Sequence, residues 1–221
     1  MSPTQLAARL DRAVAPKKLL EHPFYEAWAA GTLTRGDLAF YAGQYWRQVE
    51  AFPGYLDRAA QRFDGATRGD LETNLADELD GDHQGLWLRF AEAVGASTAE
   101  ITAAEPVPET RTCVDAFGAA PERSGLFALG MLYGYESQTP EVARTKASGL
   151  RDHYGIDGPA IEYFELHGEL DVRHAGDLAA AIAREATSDE DLNEAEAGAA
   201  AGAEAVWTLL DGVARVTNIA T

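Results

Sequence analysis

The chain has 221 residues, 46% of them hydrophobic and 24% charged, with a formal net charge of −18. That length and balance suit a folded domain with a substantial core and exclude a disordered chain. The negative charge repels phosphate backbones and anionic lipid, so nucleic acid is not an expected partner, and no apolar run approaches the ~18 residues a membrane span needs.

Helix formers dominate and strand-like alternation is nearly absent, which predicts an all-α chain. Met1–Leu10 lacks the basic-then-apolar order of a signal peptide, so a cytoplasmic protein is expected. A first helix is expected within Ser2–Val14 and a short one over Pro23–Ala30. Thr34 with Asp37 reads as the N-cap of a segment through Leu38–Gln48, and Pro53 separates that segment from Tyr55–Phe63. Thr67–Glu78 and Gln84–Val94 follow, on either side of Gly81. A loop over Thr102–Glu109 carries Pro106 and Pro108 and leads to Arg111–Phe117. Ser124–Ser137, Glu141–Tyr154, Pro159–Ala186 and Glu190–Asn218 complete the chain. Leu126, Leu129, Leu132 and Tyr133 form one apolar stripe; Leu178, Ala181 and Ile182 form another. With no repeat and no break in composition, residues 1–221 read as a single helical domain of seven to nine helices.

The chemistry rests on scarce residues. Cys113 is the one cysteine, so neither an internal disulfide nor a thiolate zinc site is available; it reads as a small buried hydrophobe. The chain has five histidines, and two of them fall in His167-Gly-Glu-Leu-Asp171-Val-Arg-His174. At about 100° per residue, positions i, i+4 and i+7 share one stripe of a helix, so both imidazoles and the carboxylate point the same way. Such a trio suits iron, manganese or zinc. It also suits a polar helix face on which Asp171 pairs with Arg173 or a histidine.

A second patch is Asn74-Leu-Ala-Asp77-Glu78-Leu-Asp80-Gly81-Asp82-His83. An unbroken helix would splay Glu78 from His83, and Gly81 can loosen the turn so that they converge; Asp77, Asp80 and Asp82 are alternative ligands. A third is Leu132-Tyr-Gly-Tyr-Glu136-Ser-Gln-Thr-Pro140. Glu136 follows the apolar stripe and so points inward, where a carboxylate needs a cation: a metal, Lys146 or Arg144. Pro140 should kink the helix near 136. Three helices thus offer carboxylate or imidazole ligands to one interior, the general plan of carboxylate-bridged dimetal proteins.

The stretch His22-Pro-Phe-Tyr25-Glu-Ala-Trp28 resembles the opening of the haem-oxygenase-like helical proteins grouped with TenA and PqqC. With Tyr41, Gln44-Tyr45, Glu50-Ala-Phe-Pro53-Gly-Tyr55, Asn74-Leu-Ala-Asp-Glu78, Tyr135-Glu-Ser-Gln-Thr-Pro-Glu141, Lys146 and the HxxxDxxH, it resembles the branch named for the chlamydial protein associating with death domains. The resemblance covers roughly residues 18–185. It implies a haem-oxygenase-like bundle with a seven-helix core, a non-haem Fe/Fe or Fe/Mn centre, and O2 as co-substrate. It implies one metal on Glu78, His83 and Glu136, the other on His167, Asp171 and His174, and bridging carboxylates between them. It further implies a role in folate supply, through p-aminobenzoate whose ring comes from a tyrosine of the protein itself. Tyr25 then matches the reacting tyrosine and Lys146 the amino donor, with Tyr41 and Tyr163 as further candidates. A diffusible small molecule is the other substrate class, and a homodimer is compatible with the fold. The family usually has two more residues between the positions of Glu78 and His83. Two rival functions fit the fold: a metal-free TenA/thiaminase-like enzyme, for which Cys113 is the sole candidate nucleophile, or a PqqC-like enzyme, and a non-enzymatic helical binding protein.

Overall fold

The computed structural model describes residues 3–220. Eleven α-helices run through them: α1 Pro3–Val14, α2 Pro23–Ala29, α3 Arg35–Ala60, α4 Gly65–Asp80, α5 His83–Ala93, α6 Thr98–Ala103, α7 Pro108–Arg123, α8 Gly125–Glu136, α9 Thr139–Tyr154, α10 Glu162–Glu185 and α11 Asp189–Thr217. Short 3-10 turns at Ala15–Lys17, Leu19–Glu21 and Gly158–Ala160 complete the order, and no strand occurs among the described residues. Ser2, expected to open the first helix, lies outside them. No helix among the described residues is long and apolar enough to cross a membrane.

Local chemistry sets most boundaries. Thr34 and Asp37 close a reciprocal capping box at the start of α3, and Ser188 with Asp191 does the same for α11. His22 caps α2: its Nδ1 accepts the Phe24 N–H at 3.1 Å while its Nε2 sits 3.1 Å from Asp211 Oδ1. Ser97 and Glu100 form a further box that starts α6, a short helix not expected from the sequence.

Two prolines behave differently from the expectation. Pro53 lies inside α3 instead of dividing it, and Pro121 lies inside α7, which runs on past Phe117. An internal proline costs about 3 kcal/mol. Val49, Phe52, Tyr55 and Leu56 carry one buried face across Pro53, so packing outweighs the lost hydrogen bond. Pro140, by contrast, does separate two helices: α8 ends at Glu136 and α9 starts at Thr139, with Pro140 in its first turn.

Helix α8 is the axis of the bundle. Every residue from Phe127 to Glu136 is buried, so the expected single apolar stripe is a helix covered on all sides. On one side it lies against α11, where Gly130, Gly134, Gly198 and Gly202 let the two backbones touch. Helices α9 and α10 pack on each other, and α10 also reaches α4 and α8. The buried apolar residues form one continuous cluster, which encloses the polar groups described next.

Candidate metal centre

The trio on α10 faces inward: His167, Asp171 and His174 are all buried. Glu136, the last residue of α8, is 1% exposed and faces them. From α4 comes Glu78, one turn before the helix end, and from α5 its first residue, His83; both are buried. Four helices therefore aim three carboxylates and three imidazoles at one interior region.

The shortened link between Glu78 and His83 closes because Asp82 adopts a left-handed conformation, φ 51° and ψ 39°, which reverses the chain between α4 and α5. Gly81 is needed beside it. A Cβ there would lie 2.5 Å from His83 Nε2 and 2.7 Å from the Asp77 carbonyl. The His83 ring thus turns back over Gly81 and brings its Nδ1 within 2.8 Å of Glu78 Oε2. Asp80 and Asp82, the alternative ligands, are exposed, and Asp82 faces Arg89 at 3.7 Å.

Two subsets emerge. Glu78, His83 and His167 each offer one ligand atom within 4.8 Å of the others. His174 Nδ1 lies 3.6 Å from Asp171 Oδ1 and 3.9 Å from Glu136 Oε1. Nearest neighbours thus place His167 beside Glu78 and His83, and Glu136 beside Asp171 and His174. Each imidazole of α10 has one nitrogen already engaged. His167 Nδ1 donates to the Tyr163 carbonyl at 2.7 Å, leaving Nε2 toward Glu78. His174 Nε2 meets Asp77 Oδ2 at 3.1 Å, leaving Nδ1 inward.

The residues fit a pair of cations on electrostatic grounds. Burial raises the Glu136 pKa, and the neighbouring Asp171 raises it further, so without a metal this carboxyl holds its proton well above the usual range. At His174 burial lowers the pKa, but Asp171, Glu136 and Asp77 overcome it and push the imidazole up to about 9. Protons stand in for positive charge that the cluster lacks. Both nitrogens of His83 and Nδ1 of His174 also have no hydrogen-bond partner; the short approach of His83 to Glu78 is out of line for one. Buried polar atoms without partners are costly, and metal ligation is one standard way to satisfy them. Neither expected counter-cation serves Glu136: Arg144 binds the Gly168 carbonyl, and Lys146 is engaged elsewhere. Arg173 pairs with Asp77 and not with Asp171.

Lys146 sits in a second, aromatic compartment. Its Nζ donates to Tyr41 Oη at 2.6 Å, and Tyr41 Oη lies 3.1 Å from Tyr25 Oη. The Nζ stands 4.4 Å from the Tyr25 ring centre and 4.9 Å from that of Tyr45. Those ring faces favour a cation, each by roughly 0.5–2 kcal/mol. Burial without any carboxylate opposes it and holds the lysine pKa well below its usual value, which favours the neutral amine. Tyr163 connects the compartments: its ring stacks on His167 at 4.1 Å and meets Trp87 edge-on at 4.9 Å. A cavity of about 10 Å³, bounded by Tyr25, Tyr45, Tyr135, Lys146 and Tyr163 among others, has room for one water.

The structure thus brings together all six expected ligands, and Tyr25, Tyr41 and Lys146 as a hydrogen-bonded row. Sequence reasoning gave no role to Tyr45 and Tyr135, whose hydroxyls pair at 2.9 Å beside that row. The four-residue spacing of Tyr41 and Tyr45 on one helix face was the signal available. Asn74 was also unassigned; its amide donates to Glu136 at 2.9 Å. Cys113 is fully buried, and burial raises its thiol pKa, which makes it a poor nucleophile.

Comparison with known proteins agrees with this geometry. Residues 39–207 match the family model described as iron-containing redox enzymes, of the haem-oxygenase type. A 4-aminobenzoate synthase of Nitrosomonas europaea is 34% identical, over 96% of this chain and 92% of its own. Another, from Chlamydia muridarum, is 39% identical over 83% of this chain and 80% of its own. In three dimensions the chain resembles a TenA homologue of Pseudomonas syringae pv. tomato, with a TM-score of 0.81 at 17% identity, covering 96% of this chain and 92% of that one; this likeness concerns the fold.

Proposed function

The chain belongs to the iron-containing redox enzymes of haem-oxygenase-like fold, and on that premise we propose that it is an O2-dependent dimetal oxidase that forms 4-aminobenzoate from its own Tyr25. Glu78, His83, Glu136, His167, Asp171 and His174 hold the two metals, iron in one position and iron or manganese in the other, both of which suit these ligands. When bound, the metals supply the redox chemistry with dioxygen. The observation that carries the reading is the buried six-residue cluster, in which both nitrogens of His83 and Nδ1 of His174 lack partners and Glu136 is driven toward neutrality. Glu136 feels the charges of both Asp171 and Glu78, so it would serve as a ligand near either subset.

The chain's own residues explain why a protein tyrosine is the ring source. The cavity beside Lys146 admits one water and no free aromatic ring. Tyr25 already lies with its ring within reach of Lys146 Nζ. A neutral amine has a lone pair, as an amino donor must. Tyr41 accepts the Nζ hydrogen bond and meets the Tyr25 hydroxyl, so one phenol orients both reacting groups. Burial, and secondarily the neighbouring tyrosines, raises the pKa of Tyr41 and Tyr135 and favours the protonated phenols. Trp87, Phe90 and Phe164 close the compartment and exclude water. The thiaminase-like alternative requires Cys113, which is buried with a raised pKa.

Anaerobic loading of metal-free protein with iron, followed by elemental analysis and air exposure, tests the proposal. We expect two metal ions per chain in the wild type, fewer in His167→Ala, and 4-aminobenzoate by mass spectrometry from the wild type alone when Tyr25→Phe is compared. Trace metal in both loaded proteins, or undiminished product from Tyr25→Phe, overturns it.

A further inference from the structure

Helix α4 brings more than a ligand to the centre. Asn74 and Asp77 lie on it before Glu78, and each reaches a ligand carried by another helix. The Asn74 amide donates to both Glu136 oxygens, at 2.9 and 3.3 Å, and is 5% exposed. Asp77 Oδ2 meets His174 Nε2 at 3.1 Å, and the same oxygen receives the Arg173 guanidinium. His174 is 2% exposed, and its other nitrogen has no hydrogen-bond partner and faces Asp171 and Glu136.

We propose that Asp77, clamped by Arg173, is a positioning residue for the metal centre: it fixes His174 with the proton on Nε2, so that His174 binds metal through Nδ1, whereas His167 binds through Nε2. The inference rests on the dimetal reading above. A carboxylate on the outer nitrogen of a ligating imidazole fixes its tautomer and ring orientation, and loss of such a partner typically lowers metal affinity by about 10–100-fold. His167 obtains the same service from its own helix, through the Tyr163 carbonyl. His174 sits on the face turned to α4 and depends on a side chain from that helix. An amide in place of Asp77 can donate to Nε2 and leave the proton on Nδ1, toward the metal, which is the wrong tautomer.

Cobalt(II) is a suitable probe, because metal-bound imidazole N–H protons shift far outside the protein's proton NMR envelope. Metal-free wild type, Asp77→Asn, Arg173→Gln and Asp80→Asn would be titrated with cobalt, with His174→Ala assigning the His174 signal. Asp80→Asn removes an equal charge one turn away from an exposed position. The expected result is a 10–100-fold weaker cobalt affinity for Asp77→Asn. The shifted His174 N–H should be lost or exchange at least tenfold faster, while the His167 N–H is unchanged. Arg173→Gln should fall between, and Asp80→Asn should match the wild type. If Asp77→Asn loses helicity without metal, Arg173→Gln carries the comparison, since it leaves the carboxylate in place and unclamped. Cobalt affinity within twofold of wild type for both variants, or an unaltered His174 N–H, overturns the inference and leaves the dimetal reading standing. No cobalt uptake by the wild type overturns both.

Discussion

Helix α8 meets α11 on one face and the polar centre on the other, and the two contacts obey different rules. Toward α11, a Cβ on Gly130 or Gly134 would run into the Ala195 or Ala199 carbonyl, and one on Gly198 or Gly202 into that of Phe127 or Met131. This seam is a problem of volume: two backbones lie in contact and no side chain fits between them. Two residues beyond Gly134 the helix has turned by about 200°, and Glu136 points the opposite way, toward α4 and α10. There the constraint is charge. Three carboxylates share a buried interior with three imidazoles, and some of their polar atoms have no hydrogen-bond partner. The seam stabilises the fold with no chemistry to offer, while the centre strains it in the metal-free state, as expected of a site kept for function.

The sharpest way to break the comparison is Gly134→Ala. A single methyl at a backbone contact forces α8 and α11 apart, because neither carbonyl can move without disturbing its own helix. We expect a loss of about 3 kcal/mol or more in urea unfolding, a large fraction of the ~5–15 kcal/mol that a domain ordinarily has. Metal binding should fall with it, since Glu136 sits half a turn further along the same helix. A variant that melts within a few degrees of wild type would show that the seam is looser than its geometry.

Glu136→Gln tests the opposite face, and its sign should invert with metal. The wild-type carboxyl has a folded pKa raised above its unfolded value, to about 8, through burial and Asp171. A raised acid destabilises the fold wherever the unfolded chain is ionised and the folded one must take up a proton. The neutral amide escapes that cost, so metal-free Glu136→Gln should be more stable than wild type by about 1–3 kcal/mol near pH 7.5. The advantage should shrink as pH falls and vanish once the pH is well below 4.5, where both states of the wild type are protonated. Asn74 Oδ1, without a partner in the wild type, can accept from the new amide after a flip of its own. Loaded with metal, the order should reverse, because an amide is a far weaker ligand than a carboxylate. Melting curves across pH, with and without iron, decide it; equal destabilisation in both states would refute the charge argument.

The two faces were unequally legible in the sequence. His167, Asp171 and His174 could be placed together because a helix fixes their relative direction, and Glu136 because an apolar stripe precedes it. What lay beyond one helix was harder. Asp77 stood among the alternative ligands, yet it reaches the outer nitrogen of His174, a fact set by the rotation of α4 against α10. The paired glycines of α8 and α11 were visible as four-residue spacings, but which helices they join is a long-range matter. Pro53 was given its local meaning as a break, which the buried face running across it overrides. The shortened Glu78–His83 link was legible as a departure from the family pattern, and its solution, a left-handed Asp82, was not.

The smallest effect calibrates the largest. Gly176 lies inside α10, two residues past His174, and a Cβ there would meet nothing within 4 Å. Gly176 itself is exposed, as are Val172, Arg173 and Ala183 on that face, so little packing depends on its lack of a side chain. Gly176→Ala should therefore reveal only backbone entropy, and raise stability by about 0.5–1 kcal/mol, since alanine restricts the unfolded chain and favours the helix. Metal content should be unchanged, because the substitution lies on the side of α10 turned away from the centre. The same methyl thus destabilises at 134 and stabilises at 176, and the difference isolates what contact with α11 demands. Should Gly176→Ala weaken the protein or lower its iron content, that outer face of α10 is covered by something, and the exposure assigned to it is wrong.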